Sequence, residues 1–266
     1  MQSIEELLAR FTSGLNDIAH AIRAKTGKTD TLSIEEMAAE QDAVFEAGKA
    51  AGTDAFWDDA QDYGQRYDYA YGFSGAGWTD ETFKPKYNMV ARSACHNTFC
   101  SSAVTDLKAL LENAGVTFDT GQCSRTDNMF SYAKTLTRVP ELNVTGTTWT
   151  TGINSMFDNC LKLHTIEKLI IPSDRALTAN GTAFRKCESL VDIFIEGVIS
   201  ANGWDFKDCP LSKASITSVI NALSATTSGL TVTLKKTSVE AAFGSTTAAE
   251  WTALVATKPN WTISLA

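Results

Sequence analysis

The chain has 266 residues, 44% hydrophobic and 20% charged, an ordinary composition for one large globular domain or two modest ones. No uncharged apolar run approaches the ~18 residues of a membrane span, and Met1-Gln-Ser-Ile-Glu-Glu lacks the basic start and apolar core of a secretory signal, so folding in a cytoplasm is expected. The net charge of −8 is concentrated: 13 Asp/Glu face only Lys49 and Arg66 between Asp30 and Glu81, and an acidic belt of that kind repels phosphate and argues against nucleic acid.

Residues 3–25 predict an amphipathic helix. Leu8, Phe11, Leu15, Ile18 and Ile22 follow the 3-4-3-4 spacing of a coiled-coil seam, over about two heptads. Two readings stand: self-association, and packing on the chain's own domain. Lys25-Thr-Gly-Lys28 breaks this helix, and Ser33-Ile-Glu-Glu36 is a capping box that starts a second one. The acidic belt then reads as a solvated helix surface.

Residues 53–90 hold five of the six tyrosines, with Phe56, Trp57, Phe73, Trp78 and Phe83. A cap closing one end of a stacked structure is the preferred reading, because the repeats begin directly afterwards. An aromatic recognition surface for sugar or protein is the alternative.

The middle of the chain repeats itself. Phe130-x-x-Ala133-x-x-Leu136-x-x-Val139, Phe157-x-x-Cys160-x-x-Leu163-x-x-Ile166 and Phe184-x-x-Cys187-x-x-Leu190-x-x-Ile193 align without gaps. Phe206-x-x-Cys209 keeps the front of the pattern, and Phe99 opens a degenerate first copy. The phenylalanines are 31, 27, 27 and 22 residues apart. Two copies run on to Leu142-x-Val144 and Leu169-x-Ile171; the third, ending Ile193-x-Ile195, is one residue shorter. Each copy predicts one coil with a short strand, whose apolar residues are buried only by stacking on its neighbours. Phe supplies bulk, and Ala or Cys fits where backbones pass closely. Cys160, Cys187 and Cys209 therefore read as small core hydrophobes. No CxxC pair or zinc-ligand spacing occurs among the six cysteines and three histidines, and disulfides are not expected in a chain without a signal. The uneven period implies inserted loops, such as the Thr-rich stretch Thr145–Gly152, and loops carry function more often than framework does.

After Cys209 the pattern changes. Ile216, Val219, Ile220 and Leu223 predict a helix over 212–223, Leu230–Leu234 a strand, and Ser238–Phe243 a short helix. A helix over 247–258 is stopped by Pro259, and Trp261–Leu265 closes as a strand. The fold class read from these patterns is α/β: a short, irregular leucine-rich-repeat-like solenoid. A helical assembly segment spans 1–50, an aromatic cap 51–92, the repeats 93–211 and an α/β C-terminal cap 212–266.

The repeats resemble the surface-antigen (BspA-like) class of leucine-rich repeats. Ile18-Ala-His-Ala-Ile-Arg-Ala-Lys-Thr-Gly-Lys-Thr-Asp30, the stretch Tyr69–Lys86 and Leu211–Leu223 are similar to leucine-rich-repeat proteins encoded in prophages of gut Firmicutes. The resemblance spans most of the chain. It implies a structural part of a phage virion, tail- or baseplate-associated, contacting the host cell surface through a protein or glycan receptor. The helix with Leu8, Phe11, Leu15, Ile18 and Ile22 would then join copies of the chain, as a homo-oligomer or trimer, or join other virion proteins. The resemblance brings no catalytic motif and no binding residues. A bacterial surface adhesin or protein-binding module is the alternative.

Enzyme signatures are missing: no nucleophile elbow, no P-loop, no His-Glu-x-x-His and no dinucleotide fingerprint. Ser74-Gly75-Ala76-Gly77 reads as a turn. Paired acids such as Asp58-Asp59 leave a carbohydrate-active tail enzyme as a remote alternative. No cofactor, metal or membrane insertion is expected. Asn143, Asn180 and Asn260 begin Asn-x-Thr sequons, which arise by chance in a Thr-rich chain.

Overall fold

Phe130 and Phe157 lie face to face, with ring centroids 5.3 Å apart and planes within 1° of parallel. The same arrangement recurs at Phe99–Phe130, 5.5 Å, at Phe157–Phe184, 5.7 Å, and at Phe184–Phe206, 4.6 Å. These rings are at most 1% exposed. Burying one Phe stabilises by roughly 1.5–3 kcal/mol, so the column of rings is a main axis of the core. The computed structural model describes residues 69–266 except Tyr71 and Arg92. The helix expected over Leu8, Phe11, Leu15, Ile18 and Ile22, the expected capping box at Ser33 and the acids Asp58 and Asp59 lie outside the described residues.

The backbone explains why the rings align. Asn97, Asn128 and Ser155, two residues before a Phe, have φ of 57°, 56° and 51°. Ser101, Tyr132, Asn159 and Lys186, two residues after one, have φ between 58° and 60°. Each such left-handed residue is unfavourable unless the fold holds it, and asparagine tolerates it best. The alternation aims N–H groups at the next copy. Phe99 N–H donates to Met129 O at 2.7 Å, Phe130 N–H to Met156 O at 2.8 Å and Phe157 N–H to Ala183 O at 2.9 Å.

On the other side of each copy lie short parallel strands. Strand β1 is Met89–Val90, β2 Phe118–Asp119, β3 Arg138–Asn143, β4 Thr165–Ile170 and β5 Asp192–Glu196. β1 pairs with β2, and β3–β4–β5 form a second sheet, every pair parallel. Register follows the repeat: Val139 opposes Ile166, which opposes Ile193. The missing residue of the third copy appears as a register shift between Ile166 and Leu169 against β5. One helix falls where the sequence analysis placed none. The degenerate first copy runs into α1, Leu107–Ala114, with Asp106 accepting from Ala109 N–H and Gly115 closing it at φ 67°. Leu107 and Leu111, four residues apart, bury its inner face.

The C-terminal elements form where the sequence patterns place them. α2, Lys213–Ala222, starts at Ser212, whose side chain accepts from Ser215 N–H. Strands β6 (Trp204–Phe206), β7 (Leu230–Leu234) and β8 (Trp261–Leu265) make a third parallel sheet, with α3 (Lys236–Phe243) and α4 (Ala249–Ala256) in the connection from β7 to β8. α2 lies along the free edge of β5. There Ser215 Oγ accepts from Ile193 N–H and Ser218 Oγ from Ile195 N–H, both at 2.9 Å. An open strand edge is thereby covered by helix side chains rather than left to recruit another chain. Among the described residues the architecture is mixed α/β, with few helices, small parallel sheets and no closed barrel. No helix among the described residues is long and apolar enough to cross a membrane.

The cysteines hold one correction. Cys160, Cys187 and Cys209 are fully buried with free thiols, in line with the core reading. Cys95 and Cys123, however, form a disulfide with Cα atoms 6.2 Å apart, where none was expected. The two belong to successive copies, and stacking closes a separation of 28 residues that sequence spacing alone does not reveal.

Candidate ligand-binding site

Four rings of the aromatic segment lie in the core, while Tyr87 is half-buried. Tyr69, Phe73, Trp78 and Phe83 are buried. Phe73 meets Trp78 and Phe83 edge-on at 5.1 Å, and stacks on Phe99 at 5.1 Å. The ring column thus begins at Phe73, one rung before the first copy recognised in the sequence. These four rings do not form an outward recognition surface.

The Thr-rich loop after β3 does face outward. Trp149 is 54% exposed, the most exposed of the large hydrophobic side chains described. Its position is nonetheless fixed. The N–H groups of Thr148 and Trp149 both donate to Ser124 O, at 2.9 and 3.2 Å. The Arg125 guanidinium lies 4.9 Å from the indole centroid, a cation–π contact. Arg125 is itself clamped by Asp127 through Nε to Oδ1 at 2.7 Å and Nη2 to Oδ2 at 3.1 Å. Burial raises the Asp127 pKa, but the Arg125 hydrogen bonds and charge and the Thr151 hydroxyl outweigh it, holding the carboxyl below its ordinary value. The guanidinium charge is therefore largely matched before any ligand arrives.

A polar groove of about 430 Å³ is lined by Thr150, Asn154, Thr178, Asn180, Asn202 and Gly203. It crosses three stacked copies: the ones carrying Phe157, Phe184 and Phe206. The seams between them are closed by Thr178 Oγ1 donating to Thr150 O at 3.0 Å, Ile153 N–H to Thr178 O at 2.9 Å and Gly181 N–H to Gly203 O at 2.8 Å. Two glycines allow this approach. A Cβ on Gly152 (φ 56°) would strike Thr178 O, and one on Gly203 (φ 91°) would lie 2.5 Å from Asn180 N. Asn154 Oδ1 is buried and has no hydrogen-bond partner among the described residues. An unmet acceptor of that kind costs about 1–3 kcal/mol.

A second hollow, also about 430 Å³, lies between α1 and β3 and is rimmed by Lys108, Glu112, Asp119 and Glu141. None of the exposed large hydrophobics Tyr132, Trp149 and Phe194 lines either hollow. Among the described residues no three His, Cys, Asp or Glu are grouped so as to hold a metal.

Sequence reasoning reached the loop Thr145–Gly152 but none of its partners. Arg125, Asn154, Thr178 and Asn202 come from four copies, and no local motif marks them. The only trace is the recurrence of Thr and Asn some twenty to thirty residues apart, in step with the phenylalanines. Comparison of the chain with protein-family models, with curated proteins and with solved structures returns no match.

Proposed function

We propose that the chain is a short leucine-rich-repeat-like solenoid that serves as a non-enzymatic structural and binding part of a phage virion. In this reading it is tail- or baseplate-associated and contacts the host cell surface. The observation that carries the binding role is Trp149: more than half exposed, yet held by two backbone hydrogen bonds and a clamped arginine. A rigidly held, exposed indole offers a partner contact area at low conformational cost, and rigid aromatic anchors are what binding sites use. The ring column supports the solenoid reading, since each Phe is buried only by its neighbours in the stack.

Assembly is assigned to the leading helix. In the full chain, replacing Leu15 and Ile18 with Asp should convert an oligomer to a monomer by light scattering. A wild-type chain that is already monomeric would sink the assembly role. Host contact is tested by staining intact Gram-positive gut bacteria with the fluorescently labelled full chain. Trp149→Ala should abolish staining of any strain the wild type labels; if no strain is labelled, the host-contact role fails.

A second reading, a bacterial surface adhesin, is favoured by the Cys95–Cys123 disulfide, a bond that persists in oxidising surroundings. Antibody labelling of purified particles against cell walls separates the two. A carbohydrate-active enzyme would release reducing ends from host wall polysaccharide, and none is expected.

A further inference from the structure

We propose that the chain pairs with a second copy of itself through the free edge of strand β8, antiparallel and centred on Ile263.

The last rung of the stack is unfinished. β8 lies at one side of the sheet β6–β7–β8, so only one of its edges carries a strand. Its register sets Ile263 opposite Val232 and Leu265 opposite Leu234. Val232 and Leu234 are fully buried, yet Ile263 and Leu265, on the same face, are partly exposed. Each rung of such a stack is covered by the next one, and β8 has no next one among the described residues.

The backbone is unmatched in the same place. Ala266 N–H donates to Leu234 O at 3.0 Å, and Ala266 O accepts from Lys236 N–H at 2.8 Å. Alternate residues of a strand bond to opposite sides, so Thr262 and Ser264 also face β7, while Trp261, Ile263 and Leu265 face away. Trp261 N–H turns back to Lys258 O at 3.1 Å. The N–H groups of Ile263 and Leu265 and the carbonyls of Trp261 and Ile263 have no partner among the described residues. The edge of β5, by contrast, is closed by the serines of α2. Nor does β8 carry the charge, proline or bulge that keeps an edge single. Trp261-Thr-Ile-Ser-Leu265 has none of these, and Lys258 before it is spent on Asn221 O at 2.9 Å.

The strand matches its own reverse. Turned about Ile263, it sets Ile263 against Ile263 of the partner subunit, Trp261 against Leu265 of the partner subunit and Thr262 against Ser264 of the partner subunit. The two Ile263 residues exchange N–H···O bonds, and each Leu265 N–H meets Trp261 O of the partner subunit. Apolar side chains share one face and hydroxyls the other, and no like charges meet across the axis. A foreign peptide strand is the other occupant that such an edge admits. The chain's own strand is favoured by this double match of backbone and side chains. So short a strand implies weak pairing, with Kd on the order of 0.1–1 mM, effective where another contact gathers the copies.

The test uses the full chain carrying Leu15→Asp and Ile18→Asp, so that association through the leading helix does not contribute. At micromolar concentration this chain is a monomer by light scattering. Amide exchange at Ile263 and Leu265 should be fast there and slow twofold or more at about 1 mM, while Thr262 and Ser264 stay protected at both. Leu265→Pro removes an N–H that β7 does not use, and should abolish the concentration dependence at Ile263 with little change in melting temperature. If that variant does not fold, Ile263→Lys, which sets two charges face to face, should do the same at Leu265. In a Cys100→Ser background, Thr262→Cys chains mixed with Ser264→Cys chains should form disulfides with each other under mild oxidation and not with themselves. Protection of Ile263 at both concentrations would show that another part of the chain covers the edge, and would overturn the proposal. So would fast exchange at both, an unaltered concentration dependence in the folded variants, or cross-links without preference for the mixed pair.

Discussion

The Cys160 thiol lies 3.0 Å from the carbonyl oxygen of Phe130 in the preceding copy and donates to it. Cys187 repeats the bond to Phe157 O at 3.1 Å and Cys209 to Phe184 O at 3.6 Å. The cysteine of the repeat is therefore a connector as well as a small hydrophobe: it satisfies a carbonyl lone pair across the seam. Ala133, at the same place in an earlier copy, fills the space without the bond.

These thiols make stability fall at alkaline pH. Burial pushes the Cys160 and Cys187 thiols up, and a hydrogen bond with Cys187, then burial, does so for Cys209. Below the ordinary value of 9.0 folded and unfolded chains both keep these protons, and the contribution is intact. Above it the unfolded chain releases them while the folded chain does not. Stability then drops by up to about 1.4 kcal/mol per thiol per pH unit. Cys160→Ala should cost about 1–2 kcal/mol at pH 7 and flatten the loss between pH 9 and 11, read from urea midpoints. An equally steep loss in the variant would refute this.

The serines on α2 are strand partners. Ser215→Ala and Ser218→Ala strip the buried N–H groups of Ile193 and Ile195 of their acceptors, at about 1–3 kcal/mol each. Amide hydrogen exchange at those two residues should accelerate while Ile166 on the inner strand β4 stays protected. Unchanged exchange at Ile193 would show that the serines do not hold the edge.

The Cys95–Cys123 disulfide closes a 28-residue separation. Its removal by Cys95→Ser with Cys123→Ser should lower stability by about 3–4 kcal/mol. Mass spectrometry after maleimide labelling under denaturation should count four reactive thiols in the wild type, those of Cys100, Cys160, Cys187 and Cys209. A count of six would show that the bond is not formed.

Acid should loosen Trp149. The Asp127 carboxyl is held below its ordinary 3.8 by Arg125 and Thr151 against the effect of burial. Its stabilising contribution is present above pH 3.8 and is lost as pH falls through the lowered value. Protonation releases Arg125 from its clamp, and Trp149 anisotropy should drop as pH falls below the ordinary 3.8 and through the lowered value. Asp127→Asn should show the low anisotropy already at pH 7. High anisotropy in that variant would mean that the backbone bonds to Ser124 suffice to fix the loop.

The repeat Phe-x-x-[Ala/Cys]-x-x-Leu-x-x-[Val/Ile], the shortened third strand and the order of elements after Cys209 were all legible in the sequence. Each is written within one copy, where local period decides which side chains face inward. Helix α1 carried local signals too, Asp106 before Leu107 and Gly115 after Ala114, and was obscured by the repeat pattern laid over it. Tertiary structure alone decided the rest: the rung at Phe73, the pairing of Cys95 with Cys123, the serines of α2 against β5, and the groove from Thr150 to Gly203. All of these join residues some 22 to 30 positions apart. Their meeting depends on how far each copy is shifted against the next, and loops of unequal length make that shift a property of the stack rather than of any segment in it.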